Sequence, residues 1–206
     1  MPGAALTKLQ AEAQQCDALI TNAHRSDANG TAIFPARDQE QITVAAFLNL
    51  FIAWESFLEA CFISLMTGGA TVSGATPNRF VLPPTAQAAQ AMIIGINRYF
   101  DFANIDNVRK VARIYFEHGY PFEPHLSAIV VDLQDIKMMR NSSAHLTSTT
   151  QAALAALAQR ITGTPQPGIS LYSLLTHTDP RAGNGQTVYA TCRDKLLAAA
   201  QLIAVG

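Results

Sequence analysis

The chain has 206 residues, enough for one domain with a substantial core. Hydrophobic residues make up 49% and charged residues 14%, and the formal net charge is -1 at pH 7. That charge excludes a global basic field that would attract nucleic acid, so any RNA contact must rest on a few placed cations. The apolar excess has two readings: a well-buried helical core, or apolar surface covered by a second copy or a partner.

Cys16, Cys61 and Cys192 are isolated, odd in number and each set in an apolar-periodic segment. They predict buried free thiols in a reducing compartment and provide no zinc or redox spacing. The N-terminus lacks the basic start and apolar run of a signal peptide, which points to a cytoplasmic protein of bacterial type.

In chain order, Leu6, Leu9, Ala13, Cys16, Leu19 or Ile20, and Ala23 recur at steps of three and four and predict a first helix over about 6–24. "RSDANGTAIFPARD" reads as a loop. Asp38 with Gln41 three residues on suggests an N-cap and capping box for a long second helix, and Gly68 and Gly69 suggest its stop. Between them, "QITVAAFLNLFIAWESFLEACFISLM" is apolar almost all round. Asn49, Glu55, Ser56 and Glu59 argue against a membrane span, because a carboxylate at mid-membrane costs about 2.5–3.5 kcal/mol. A central helix buried on most sides is expected instead.

"GGATVSGATPNRFVLPPT" reads as a loop. Thr85 predicts the cap of a third helix over about 86–99, and Asn104 or Asp106 that of a fourth ending near 117. After the break at "YPFEP", a fifth helix is expected over about 125–139 or a little beyond. A sixth follows over about 151–161, then an "ISLYSLL" element that is helix or strand, and a last helix over about 187–204. No alternating strand pattern and no repeat is visible. The expected class is all-α, a single helical bundle over 1–206 with long loops.

Leu126, Ile129, Val130, Leu133 and Ile136 form one stripe at helical spacing, and the next position on it is Arg140. An Arg aimed along a buried face needs an anionic partner. It is either one half of a structural salt bridge, to Glu55, Glu59 or an acid of its own helix, or a cation at the floor of a cleft. His145 lies five residues on. In a continuous helix that is a turn of about 140° and a rise of about 7.5 Å, so the two side chains converge only if the helix breaks or a second copy supplies one of them.

"RNSSAH" resembles the R-x4–6-H motif of the HEPN superfamily, with Asn141 after the Arg and Ala144 before the His, as is common there. "FIAWESFLEACF" is similar to the aromatic-and-Glu helix of these proteins, and "NIDNVRKVARIYFEHGYPFEP" resembles the segment preceding the motif helix in the RiboL-PSP-HEPN subgroup. The resemblance covers about 38–161 and leaves out the N-terminal helix and a C-terminal extension over about 164–206. It implies a HEPN-like bundle that dimerises, with the motif lining a cleft at the interface. It also implies metal-independent endoribonuclease activity, as in many members that act as toxins or defence effectors. Arg140 and His145 are then the catalytic pair, with Asn141 and Glu55 supporting and Glu55 favoured over Glu59 as the anchor of Arg140. Toxins of this type that pair with a nucleotidyltransferase antitoxin often carry Tyr two residues after the His; here that position is Thr147, which departs from that mode of regulation.

The residue types suit the chemistry, since His exchanges protons near neutral pH and the Arg fork matches phosphate oxygens. The expected products carry 2′,3′-cyclic phosphate ends, with no metal or cofactor required. RNA is the expected substrate, with Arg109, Lys110 and Arg113 as possible further contacts. A homodimer is expected, and a cognate antitoxin or defence-system protein is a possible partner; a membrane is not. Between 97 and 145 the six Arg and Lys are matched by six Asp and Glu, so those three residues are the only local basic cluster. The alternative is a non-catalytic HEPN module that dimerises, binds a nucleotide or regulates a partner. His118 and His125 read as surface or capping residues, Trp54 as core, and Ser142 and Ser143 lack the G-x-S-x-G elbow of a hydrolase nucleophile.

Overall fold

The computed structural model describes residues 1–144 and 147–206. The chain is all-α: 67% is helical, and no β-strand occurs among the described residues. It forms two compact units, the first from Met1–Gln10, Ala53–Leu133 and Leu196–Gly206, the second from Ala11–Ile52 and Gln134–Lys195.

Helix α1 spans Pro2–Ala23 and buries Leu6, Leu9, Ala13, Cys16 and Ala23, as its periodicity predicts. Helix α2 spans Ala36–Met66. It starts two residues before the expected Asp38 cap, because Pro35 ahead of it accepts from the Asp38 and Gln39 amides and is pre-set for a helix start. Asp38 instead lies in the first turn, where its charge complements the helix dipole. By length and composition alone α2 could cross a membrane. Its buried positions include Phe47, Leu50, Trp54, Phe57, Cys61 and Leu65, one broad face at helical spacing. Gln41, Asn49, Ile52 and Ser56 fall on a narrow exposed strip, so the helix is not covered all round.

In the first unit, α3 (Ala86–Ile94) is capped by Thr85, whose hydroxyl accepts from the Ala88 amide at 3.1 Å. It ends well short of 99, because Gly95 leaves helical geometry with φ 60°. Helix α4 (Ile105–Tyr115) is capped by Asn104 as expected and buries Ile105, Val108 and Ala112. A short 3-10 turn, Glu117–Gly119, leads into α5 (Phe122–Ala128). Phe62, Phe116 and Phe122 form an aromatic triad, with ring centroids 4.7 to 5.8 Å apart, that packs α2, the residue before the turn and α5 together.

The expected fifth helix is two helices. α5 stops at Ala128, Ile129 takes φ -123° and ψ 25°, and α6 runs from Val130 to Ala144. The break falls at Ile129, the first of three successive β-branched residues, which lose side-chain freedom in a helix.

In the second unit, α7 (Ser148–Thr162) has a complete capping box between Thr147 and Thr150 and a left-handed Gly163 at its end. "ISLYSLL" resolves to a helix, α8 (Leu171–Thr176), because Ser170 caps it by accepting from the Ser173 amide. Helix α9 spans Val188–Val205, of which the part up to Lys195 belongs to this unit. Asp135 on α6 accepts two hydrogen bonds from Arg160 on α7, at 2.9 and 2.5 Å. Asp17 on α1 accepts from Tyr189 and Arg193 on α9, at 3.0 and 2.6 Å.

Candidate functional site

Helix α6 buries Leu133, Ile136 and Met139 at steps of three, and Ser142 continues that face. The buried face therefore passes through Met139, and Arg140 lies beside it, half-buried. Arg140 sits about one turn before the end of α6, where the unpaired carbonyls of a helix favour a cation.

The local polar contacts are short-range. Arg140 Nη1 donates to Asn141 Oδ1 at 3.2 Å. Among the described residues Arg140 forms no ion pair. Glu55 is half-buried on α2 and has a polar or electrostatic partner of its own. Ser142 and Ser143 donate to the carbonyls of Met139 and Arg140, each at 2.7 Å. Both hydroxyls bond back to the carbonyl three residues earlier on the helix. His145 lies outside the described residues. Thr147 is the N-cap of α7.

The basic cluster of α4 divides in two. Arg109 Nε and Nη2 donate to the two oxygens of Glu123 at 3.2 and 3.0 Å, and Nη1 donates to Asp106 at 3.3 Å. Its fork is filled by carboxylates, which makes it a tie between α4 and α5. Arg113 also donates to Glu123, yet its side chain is 56% exposed. Lys110 is exposed. Burial alone would raise the Glu123 pKa, but hydrogen bonds from Arg109, Arg113 and Ser127 outweigh it and hold the carboxyl below its ordinary value.

All three cysteines are free and buried. Desolvation pushes the Cys16 thiol up to about 11, helped by Glu12 and Asp17, and the Cys61 thiol up to about 12. Neither is poised for nucleophilic work at neutral pH.

Two hollows in the first unit went unread in the sequence. One, of about 480 Å³, is lined by 76–82, including Arg79 and Phe80. The other, of about 360 Å³, shares Thr76, Pro77 and Asn78 with it and adds Glu117, His118 and Tyr120. The 76–82 loop is held there by a bridge between Arg79 and Phe116, by the Phe80 amide donating to Tyr115 at 3.0 Å, and by the Glu117 amide donating to Asn78 at 3.0 Å. His118 has φ 55°, the one positive-φ residue other than glycine among those described. The next residue must be Gly119: a Cβ there would meet Glu123 Cβ at 2.8 Å. The available signal was an Arg and a Phe inside a Pro-bounded loop, "TPNRFVLPP", which reads as punctuation until its partner turn is known.

Compared with protein-family models, curated proteins and solved structures, the chain finds no match.

Proposed function

We propose that the chain is a metal-independent endoribonuclease of HEPN type, acting as the toxin or effector of a toxin–antitoxin or anti-phage defence system. The observation that carries the reading is Arg140: a half-buried guanidinium in an R-x4-H pattern, at a helix end, with no carboxylate neutralising it among the described residues. A cation kept free of acids at such a site retains its full charge for a phosphate.

In the reaction, the 2′-hydroxyl oxygen of RNA attacks the adjacent phosphorus while a base takes its proton. The bond from phosphorus to the 5′-oxygen breaks, and that oxygen receives a proton from an acid. The products are a 2′,3′-cyclic phosphate and a 5′-hydroxyl. Arg140 neutralises the crowded phosphate in the transition state, and His145 exchanges the proton. In a two-fold dimer one His145 serves as base and the other as acid; in the alternative scheme a single Arg–His pair acts and solvent supplies the second proton. Asn141 steadies the guanidinium, and Glu55 is assigned an indirect, positioning role.

The test is incubation of purified chain with bulk RNA, in EDTA, beside induction of the chain in cells. RNA breakdown in EDTA with growth arrest supports the reading. Intact RNA and unimpaired growth would favour instead a non-catalytic module that dimerises or regulates a partner.

A further inference from the structure

The hollows at 76–82 and 117–120 combine side chains that proteins use on unpaired nucleotides: exposed aromatics, an amide, a carboxylate and a guanidinium. We propose that they bind two consecutive nucleotides of single-stranded RNA, the smaller hollow selecting a base that carries an amino group. The proposal rests on the RNA-substrate reading, but its test is binding, not cleavage.

Phe80 is 65% exposed and lines the larger hollow; Tyr120, 36% exposed, lines the smaller one beside the exposed ring of His118. Exposed rings at the mouth of a hollow are stacking platforms for bases. His118 holds its ring there at the cost of left-handed backbone, a conformation that for a non-glycine residue points to function. Asn78 Nδ2 donates to Glu117 Oε2 at 2.7 Å, which steadies the exposed carboxylate where it lines the smaller hollow. The other oxygen, Oε1, takes no hydrogen bond from the described residues and faces a ligand as an acceptor. An acceptor-only group selects a base with an amino donor, such as N4 of cytosine, over uracil with its O4 acceptor.

Arg79 supplies the phosphate end. Its Nε is buried without a hydrogen-bond partner, and it forms no ion pair among the described residues. Its guanidinium lies close against Gly68, with Nη2 3.2 Å from where a Cβ would stand. The negative Glu117 in one hollow and the positive Arg79 in the other orient the strand, base edge towards Glu117 and phosphate towards Arg79.

The experiment is fluorescence anisotropy of the full chain with short fluorescein-labelled oligocytidylate and oligouridylate, 2′-O-methylated so that neither can be cut. Oligocytidylate should bind several-fold more tightly, and Glu117→Ala should erase the difference. Phe80→Ala removes an exposed ring and His118→Gly relieves the left-handed backbone, so both variants keep the fold; each should weaken binding about tenfold. Arg79→Gln should flatten the salt dependence by about 0.7 in log–log slope. Equal binding of the two oligomers, or unchanged affinity in Phe80→Ala and His118→Gly, overturns the proposal. Cleavage without such a subsite would leave the nuclease reading standing alone; selective binding without cleavage would leave the subsite standing alone.

Discussion

Arg109 and Arg140 carry the same charge in different surroundings. Arg109 has Glu123 and Asp106 across its fork, while among the described residues the polar side-chain contact of Arg140 is the Asn141 amide. The sequence offers Arg109 as a possible RNA contact and does not reveal its carboxylate partners, because Glu123 reaches Arg109 only through the turn between α4 and α5. Glu123 has a measurable signature. Its folded pKa is depressed, so its contribution to stability is present above the unfolded value and is lost as pH falls through the folded one. Denaturant titrations at neutral pH and well below the ordinary carboxylate range should show the wild type losing more stability on acidification than Glu123→Gln. Equal losses in the two proteins would mean that the carboxylate is unperturbed.

The helix caps show which elements could be read in advance. Thr85 and Asn104 cap α3 and α4 as their residue types predict, because a cap is a local interaction between neighbours in sequence. The early stop of α3 at Gly95 and the split between α5 and α6 were not read. An apolar stripe running through Ile129 and Val130 looks continuous whether or not the backbone is. The same stripe drew Arg140 onto the buried face, whereas the restarted helix puts Met139 there. Thr147 stands where antitoxin-paired toxins of the resembled type often carry Tyr, and in the structure it caps α7: it accepts from the Thr150 amide at 3.2 Å, and its own amide donates to the Thr150 hydroxyl at 3.0 Å. Thr147→Ala should cost about 1 kcal/mol in urea unfolding, and Thr147→Ser should restore most of it. An Ala variant as stable as the wild type would show that α7 holds its start without the box.

At the scale of the whole molecule, the all-α class was legible from periodicity, and much of the apolar excess is spent on buried helix faces such as that of α2. Surface remains: Ile52, Leu82, Ile114 and Val131 are each more than half exposed. The two-histidine scheme needs two copies of the motif, and a two-fold dimer is the commonest way for a single chain to provide them. Sedimentation at micromolar concentration should give about twice the chain mass of 22.1 kDa. A monomer that cleaves RNA would remove the shared cleft from the mechanism. The most direct measurement is RNA cleavage in EDTA by His145→Ala beside the wild type, with helicity checked by circular dichroism and product ends identified. The wild type should leave 2′,3′-cyclic phosphates, and the variant should keep its helicity and lose cleavage. Undiminished cleavage by a clean His145→Ala protein would contradict the assignment of this chain as an Arg–His ribonuclease.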